Sequence, residues 1–307
     1  MLPQQTYQTK RRGRPKAATR TVAQKILIAL SLVDYATRDQ LARLLDMESS
    51  RTYLREILSD QTAAEFVSCL TPSTKSQPHV YTLTRKGREY AHRLLGTPTD
   101  KRFRPAEERD KARNEFFLKH TLAVTDVLIA AQLLSQTTPG ITLHRSYTER
   151  ALRRKIAVTL AGTPHSRTIY VEPDGSLDFF IAETWKNPPE TWQDFVHIEV
   201  YRNLPPAEWR FKQKIQGYVT YATSGQHEAL FHTPALSLAV FAATEHMAGT
   251  LKRWTEEALT EIGRPEEGKW FFFCSLNTAT ASPEEMFLFP VWEQPFSDTK
   301  TPLLVLE

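Results

Sequence analysis

The chain has 307 residues, of which 41% are hydrophobic, so it is long and apolar enough to build two domains with separate cores. Its two cysteines, Cys69 and Cys274, lie far apart and outside any Cys/His cluster, which argues against a zinc site or a disulfide framework. No apolar run approaches the roughly 20 residues that span a bilayer, and no signal-peptide pattern follows the basic N-terminus. We therefore expect a cytoplasmic protein without a membrane segment.

The charge is unevenly distributed along the chain. Residues 1–120 hold 23 Lys and Arg against 13 Asp and Glu, a net charge of +10, whereas residues 121–307 hold 16 against 22, a net charge of −6. This asymmetry predicts that the first part faces a polyanion and that the second part does not need to. Basic segments that are merely solvated are the simpler alternative.

A basic arm occupies residues 1–20, with six cations and no acid between Lys10 and Arg20. Such a segment is expected to be unfolded on its own. Its centre, Arg12-Gly13-Arg14-Pro15, resembles the AT-hook, which inserts an extended backbone into the narrow minor groove of A·T-rich DNA. Glycine keeps that backbone slim, and the arginines meet the negative potential of the groove. We predict that Arg12 and Arg14 contact A·T-rich double-stranded DNA, and a plain basic tail is the alternative.

Residues 21–96 have the pattern of a winged helix-turn-helix. Capping boxes, Thr21 with Gln24 and Thr37 with Gln40, predict the starts of the first two helices. After a turn at residues 46–48, Ser49 or Ser50 is expected to cap a third helix. The inward positions of that helix are predicted to be Tyr53, Leu54, Ile57 and Leu58.

A β-hairpin and a fourth helix are predicted to follow. Strands are expected at residues 65–70 and 79–83, joined by a polar loop that contains Lys75. Thr84 is expected to cap the last helix, and Gly96 to end it. The segment Tyr81 to Gly87 resembles the Y-x-L-T-x-x-G close of many bacterial winged-helix regulators.

Two short helices joined by a tight turn, with Arg and Thr near the start of the second, are typical of a recognition helix that enters the major groove. We predict that Arg51, Thr52 and Arg55 read base edges. Phosphate contacts are predicted for the remaining exposed cations of this region, which are Lys75, Arg85, Lys86 and Arg88. Winged helices also dock proteins without touching DNA, so this second interpretation stays open.

Residues 97–110 are rich in charge and proline and are predicted to form a linker to a second domain at residues 111–307. A long helix is predicted at about residues 105–135, with His120 near its apolar stripe, where a packed or capping role is the expectation. Two further helices are predicted at 207–222 and 246–262. Strands are predicted at 141–147, 167–171, 177–183, 194–201, 236–243, 269–275 and 286–292. This alternation predicts an α+β or α/β fold, a mixed sheet with flanking helices.

Two acidic residues in this domain are candidates for chemistry. Asp174 lies in a turn just before one predicted strand, and Glu199 lies on the next. Carboxylates on neighbouring strands can hold one Mg²⁺, which would polarise a phosphodiester and activate water. Lys212 and Lys214, on the following helix, are expected near that metal. The simpler interpretation is that residues 173–175 form an ordinary turn and that Glu199 faces solvent.

This layout resembles the PD-(D/E)xK nucleases, whose fold is that of restriction endonucleases. In that superfamily an Asp after Pro and a Glu two residues before a Lys bind the metal, and the Lys positions the nucleophile. The resemblance implies that Asp174 and Glu199 are catalytic metal ligands. Tyr201 stands where the Lys is expected, so the motif is incomplete, and Lys212 or Lys214 is the candidate to supply the ammonium.

Over residues 22–225 the order of motifs resembles the replication-relaxation family of plasmids and other bacterial mobile elements. The resemblance is carried by the segment Leu83 to Gly87, the helix from His120 to Asp126, the turn at residues 173–175, and Glu199 followed by Lys212, Lys214 and Tyr218. Members of that family are thought to support plasmid replication by binding DNA or by nicking and relaxing it. The resemblance implies a mobile-element role and leaves DNA cleavage open.

Two hypotheses follow. The first is a DNA-binding protein of plasmid or mobile-element replication or maintenance, with a nuclease-like domain that acts as an Mg²⁺-dependent nickase or endonuclease if its site is active. The second is a transcriptional regulator of the winged-helix class, whose acidic domain binds a ligand or a protein. A homodimer is an expectation under both hypotheses. Walker, GxGxxG, GxSxG and HExxH motifs do not occur in the sequence, which argues against several other enzyme classes.

Overall fold

A computed structural model describes residues 20–71, 77–97, 115–152, 157–160, 167–183 and 190–306. The predicted minor-groove contacts Arg12 and Arg14, the loop residue Lys75, and all but the first residue of the predicted linker lie outside these ranges. Helices and strands combine into a mixed α+β protein, which agrees with the coarse fold prediction.

The first part of the chain, residues 20–97, contains four helices and three strands among the residues that the structure describes. The helices are α1 (Val22–Val33), α2 (Arg38–Leu44), α3 (Arg51–Ala63) and α4 (Arg85–Leu95). The strands are β1 (Tyr35–Thr37), β2 (Val67–Leu70) and β3 (Val80–Leu83). They form one antiparallel sheet in the order β1-β3-β2. The short strand β1 is absent from the sequence prediction, because three residues give no readable alternation.

Side-chain caps fix where these helices begin. Both predicted capping boxes are present, since Thr21 accepts from the backbone N–H of Gln24 and Thr37 from that of Gln40, with the reciprocal bonds also made. Thr84 accepts from the N–H of Gly87. The predicted cap of the third helix by Ser49 or Ser50 is wrong. A 3₁₀ turn at Glu48–Ser50 precedes α3, and no side chain caps that helix.

The second part of the chain contains six helices and nine strands in the described ranges. The helices are α5 (Glu115–Thr137), α6 (Glu149–Leu152), α7 (Glu208–Thr223), α8 (Gln226–Phe231), α9 (Glu245–Glu261) and α10 (Pro283–Phe287). The strands are β4 (Ile141–Thr148), β5 (Ala157–Leu160), β6 (Arg167–Tyr170), β7 (Gly175–Glu183), β8 (Glu190–Tyr201), β9 (Ser237–Ala242), β10 (Phe271–Cys274), β11 (Trp292–Glu293) and β12 (Lys300–Thr301).

Seven of these strands form a mixed sheet in the order β12-β11-β10-β9-β8-β7-β4. Strands β8, β9 and β10 run parallel, and their neighbours on either side pair antiparallel. The antiparallel pair β7–β8 is in register at Gly175 and Ile198. That register determines where the candidate site lies, because it places the residue before β7 beside the end of β8.

Each face of the large sheet has its own apolar cluster. On one face, Val196, Ile198 and Val200 pack with α5 and with the helices of the first part in a single continuous cluster. On the other face, α7 and α9 pack over β9 and β10. Strand β8 is therefore covered on both sides, which matches the long buried run from Phe195 to Val200.

Helix α5 joins the two parts of the chain through buried polar contacts. The side chain of Gln40 in α2 donates to Asp126 at 2.9 Å and to the carbonyl oxygen of Leu122 at 2.8 Å. Arg43 forms an ion pair with Asp126 at 2.5 Å, and Thr125 donates to the carbonyl oxygen of Tyr35. These groups are satisfied only when α2 and α5 are docked, so they fix the orientation of the two parts.

The expectation that no apolar run reaches membrane-spanning length is wrong for α5. By length and composition, the segment Phe116–Thr137 is long and apolar enough to cross a bilayer. Just over half of it is buried inside the fold, against β1, α2, β4 and β8. Its apolar character is accounted for by this position at the junction of the core.

The predicted strand at residues 286–292 is wrong. Residues Pro283–Phe287 form α10, and only Trp292–Glu293 are extended. The reason is a third capping box, in which Ser282 accepts from the N–H of Glu285 and Pro283 occupies the first turn. The remaining predicted strands of the second part agree with the structure to within a few residues at each end.

Gly87 tests the packing of the first part directly. A Cβ atom at this position would lie 1.9 Å from the carbonyl oxygen of Phe66, which is backbone and cannot move aside easily. We expect Gly87→Ala to lower the free energy of unfolding by roughly 3 kcal/mol, the upper range for overpacking. Urea titration followed by circular dichroism measures this change.

Gly249 is the matched control, because it lies inside α9 and a Cβ atom there would meet nothing within 4 Å. We expect Gly249→Ala to raise the free energy of unfolding by about 0.5–1 kcal/mol through helix propensity. Equal effects of the two substitutions would contradict the close approach of α4 to Phe66.

Candidate functional site

Asp174 lies at the point where the chain enters β7. Its backbone N–H donates to the carbonyl oxygen of Ile198 at 3.0 Å, so it continues the β7–β8 pairing by one residue. The N–H of Val200 in turn donates to the carboxylate Oδ2 of Asp174 at 2.7 Å. These two bonds hold the carboxylate of Asp174 next to Glu199, the residue between its two partners on β8.

His120 is the second partner of Asp174. Its Nε2 lies 3.1 Å from Oδ2, across 54 residues of sequence. Burial works against the charged imidazole, but the hydrogen bond and the charge of Asp174 outweigh it and raise the pKa of His120. Burial likewise favours the neutral acid at Asp174, but the hydrogen bond and charge of His120, with help from Lys214, lower the pKa of that carboxyl. The expectation of a merely packed or capping histidine therefore misses this pair.

Glu199 is buried and bonded to residues of α7. It is 2% exposed, so the alternative in which it faces solvent is wrong. Its Oε1 accepts from the phenol of Tyr218 at 2.8 Å and lies 2.5 Å from the ammonium of Lys214. Burial raises the pKa of Glu199 to about 7, although Lys214 opposes the shift. Burial disfavours the ammonium of Lys214 as well, but the negative charges around it, Glu199 first, raise its pKa.

The structure thus pairs Glu199 directly with Lys214 and places Asp174 near enough for its charge to affect both. Lys214 comes from α7 and not from the position two residues after Glu199, where Tyr201 stands. Burial raises the pKa of the Tyr201 phenol, although Lys214 opposes the shift, and this keeps the phenol neutral. The ammonium missing from the E-V-Y sequence is therefore supplied by a side chain from the next helix.

Lys212 does not belong to this group, and the prediction that placed it near the two carboxylates is wrong. Its ammonium lies 2.9 Å from Glu208, 2.7 Å from Glu257 and 3.2 Å from Glu261. Two residues correspond to about 200° around a helix, so Lys212 and Lys214 project from opposite sides of α7. Lys212 joins α7 to α9, whereas Lys214 faces β8.

A pocket opens beside Asp174 and His120. It is lined by Asp34 and Tyr35 from the first part of the chain, by Phe117 and His120 from α5, and by Thr148, Glu149 and Asp174 from the second part. The carboxylate of Asp34 accepts from Thr148 at 2.7 Å and pairs with Arg88, so charges from both parts meet at its wall. The Asp174 end of the site is thus reachable from the junction between the two parts.

The site offers limited ligands for a metal ion. Among the residues that the structure describes, no group of three or more His, Cys, Asp or Glu side chains is placed to hold one. Mg²⁺ is commonly bound by one or two carboxylates, with water and substrate phosphates completing its shell. Asp174 and Glu199 can supply that number, and Oδ1 of Asp174 accepts no hydrogen bond from the described residues. Asp174 and Glu199 are therefore the two carboxylates that would hold an Mg²⁺ shared with a bound phosphate.

Helix α3 presents the predicted base-reading residues outward. Arg51, Thr52 and Arg55 are exposed, while Leu54 and Leu58 are buried in the core below. The expectation that Tyr53 points inward is wrong, because its side chain is 52% exposed. Arg51 forms a loose ion pair with Asp39 at 3.8 Å. The outer face of α3 therefore carries two arginines, a threonine and a tyrosine.

The cations predicted for phosphate contacts on α4 differ in position. Arg85 is exposed and forms a weak pair with Glu89 at 3.7 Å. Lys86 donates to the carbonyl oxygen of Ala64 at 2.8 Å and lies over the ring of Phe66. Arg88 forms a partly buried ion pair with Asp34, so its predicted role as an exposed phosphate contact is wrong.

Two residues of the site, His120 and Tyr218, were named in the sequence analysis as parts of the family resemblance but were not assigned a role in the site. His120 was placed on the right helix but has a partner 54 residues away, which no local pattern indicates. Tyr218 lies one helical turn after Lys214, on the same side of α7, and this spacing is a signal that points to Glu199 once Lys214 is chosen.

Fold and site together define a mixed α+β protein with a buried carboxylate–lysine pair next to an Asp174–His120 pair, and the latter lines the junction of its two parts. A family model described as replication-relaxation matches residues 27–232. The chain belongs to the replication-relaxation family, which indicates a role in the replication of plasmids or other mobile elements. No curated protein and no solved structure matches the chain.

Lys214 tests the charge balance of the site. Lys214→Met leaves the buried carboxylate of Glu199 without its cation, and removing one partner of a buried pair costs about 3–5 kcal/mol. Since Glu199 can escape the cost by binding a proton, and its pKa is already raised to about 7, the loss of stability should be larger above that pH than below it. Urea titrations on both sides of this pH measure the difference.

Lys212→Met is the control on the same helix. Its three carboxylate partners are exposed, so the free energy of unfolding should change by no more than ~1 kcal/mol and with little dependence on pH. Loss of equal size in the two variants would contradict the distinct positions of the two lysines.

Proposed function

We propose that the chain is a DNA-binding replication protein in which a winged helix-turn-helix brings a nuclease-like site to duplex DNA. The observation that carries the proposal is the buried Glu199–Lys214 pair next to Asp174, whose carboxylate is bonded to the strand residue after Glu199 and lines a pocket at the junction of the two parts. A buried, strongly perturbed charge cluster at a cleft is the arrangement that catalysis uses and that stability does not require.

The first part supports the DNA-binding half of the proposal. Its elements follow one another as helix, strand, helix, helix, β-hairpin and helix, which is the order of a winged helix. Helix α3 holds the place of the recognition helix, with Arg51, Thr52 and Arg55 on its outer face. The hairpin β2–β3 holds the place of the wing, and Lys75 would lie in its loop, a prediction that the described residues do not reach.

The second part supports the nuclease-like half. An acid at the start of one strand, a second acid on its antiparallel neighbour and a lysine ammonium on the second acid are the three groups of a PD-(D/E)xK site. In this chain the lysine would come from a helix. Asp174 and Glu199 would hold Mg²⁺, which would polarise a phosphodiester and favour ionisation of a bound water. Lys214 would keep Glu199 ionised, and His120 would orient the carboxylate of Asp174.

Duplex binding is the first test of this function. We expect Arg51→Ala and Arg55→Ala each to weaken binding to a labelled plasmid-origin duplex by about ten-fold. Each should also reduce the slope of log affinity against log salt concentration by about one. Fluorescence anisotropy at several salt concentrations gives both quantities.

Arg253→Ala is the matched control, because Arg253 is also exposed, at 63% against 51% for Arg51, and also has one loose carboxylate partner, at 3.7 Å. It lies on α9, far from the proposed recognition helix in sequence. An effect of Arg253→Ala as large as that of Arg51→Ala would mean that binding follows total charge and not α3.

Cleavage is the second test. We expect the wild-type protein to convert supercoiled plasmid to the nicked form in the presence of Mg²⁺, and Asp174→Asn to lower the rate at least about 100-fold, as for the loss of an electrostatic group of an active site. Agarose gels over a time course measure the rate.

Asp194→Asn is the control, since it removes a carboxylate from the same strand about 17 Å from Glu199. Burial raises the pKa of Asp194 to about 6, so a neutral side chain suits that position. Nicking that survives Asp174→Asn, or no nicking by a wild-type protein that binds duplex DNA, would remove the catalytic half of the proposal.

A further inference from the structure

We propose that the chain has a second nucleic-acid surface next to the buried carboxylate–lysine pair, and that this surface binds single-stranded DNA. The strand surface, as we call it, comprises Phe116 and Lys119 from the first turn of α5 and Arg202, Leu204, Trp209 and Arg210 from the segment between β8 and the start of α7. The inference rests on the proposed function to the extent that the chain acts on DNA, and it adds a second DNA form and a second location.

Large apolar side chains are unusually exposed at this surface. Leu204 is 81% exposed, Phe116 is 63% exposed and Trp209 is 57% exposed. A side chain of this size in water forgoes the free energy of burial, and a group of them marks an interaction site more often than an isolated one does. None of the three contributes to either apolar cluster of the fold.

Cations stand among these apolar groups. The guanidinium of Arg210 lies 5.1 Å from the centroid of the Trp209 ring. Arg202 donates to the carbonyl oxygen of Lys119 at 2.7 Å, which fastens the segment after β8 to the first turn of α5. The nearest acid in sequence, Glu208, is already paired with Lys212 at 2.9 Å. The surface is therefore both aromatic and positively charged.

This combination fits one class of partner. An aromatic ring backed by a guanidinium offers a stacking platform, and neighbouring cations hold phosphates, which is how proteins bind unpaired strands without reading sequence. In a duplex the faces of the bases are already stacked on each other and only their edges are accessible.

The position of the surface agrees with a strand that enters the site. Arg202 directly follows Tyr201 on β8, and Lys119 directly precedes His120 on α5. A polar groove at the ends of the parallel strands begins at Arg202 and continues past Ser275, Asn277 and Thr278. A backbone lying along this groove would have one end beside Val200 and Tyr201, which directly follow Glu199 on β8.

The test is anisotropy with a short fluorescein-labelled oligothymidylate and the full-length chain. We expect Trp209→Ala to weaken binding about ten-fold, which is the loss of one stacked base, and Trp209→Phe to retain most of the affinity. Arg210→Ala should weaken binding and reduce its salt dependence. Phe289→Ala is the control, since Phe289 is 49% exposed and has no cation next to it in sequence, and it should bind as the wild type does.

The outcomes separate this inference from the function on which it rests. If the wild type binds duplex DNA through Arg51 but does not bind oligothymidylate, or binds it equally well after Trp209→Ala, the strand surface is wrong and the proposed function stands. If Trp209→Ala changes only the sedimentation of the protein, the surface is a protein contact and the inference is wrong. If the chain binds neither form of DNA, both proposals fail.

Discussion

Burial of a single carboxylate is the constraint on which the site depends. Glu199 lies on a central strand with both faces covered, where an unpaired charge would cost several kcal/mol. The chain meets this cost with Lys214 and Tyr218, and both are available only because α7 folds back onto β8. The second carboxylate of the site comes from the strand register, since the pairing of β7 with β8 brings Asp174 to the position beside Glu199. The opposite charges therefore stabilise one another, and removing any one of them would leave a buried charge without its partner.

The second feature with functional consequences is the rigid junction between the two parts. Gln40 and Arg43 both bind Asp126 across it, and Asp34 binds partners from both sides. Because the core below α3 continues without a break into α5 and one face of the large sheet, the separation between α3 and the sheet does not vary as it would across a flexible linker. DNA held by α3 would therefore meet the site in a defined orientation.

Much of the fold follows from local chemistry that the sequence shows directly. Capping boxes at Thr21 and Thr37 predicted helix starts that the structure confirms, and alternation predicted most of the strands. The site required contacts that no local pattern encodes. His120 and Asp174 are distant in sequence, and nothing in the order of residues distinguishes Lys212 from Lys214, which only the rotation of α7 separates. The predicted strand at 286–292 is wrong for a local reason, because a capping box at Ser282 begins a helix there.

We infer that the buried pair of Glu199 and Lys214 serves function and not stability. A combined substitution tests this inference most directly. Glu199→Leu combined with Lys214→Met replaces the pair by apolar groups of similar size, and both are made together with Tyr218→Phe so that no buried phenol loses its acceptor. Buried pairs replaced in this way often leave stability unchanged or improved. We predict a free energy of unfolding within ~1 kcal/mol of the wild type, measured by urea titration, together with complete loss of nicking on supercoiled DNA. A combined variant that stays strongly destabilised, or one that is stable and nicks at the wild-type rate, would contradict the account.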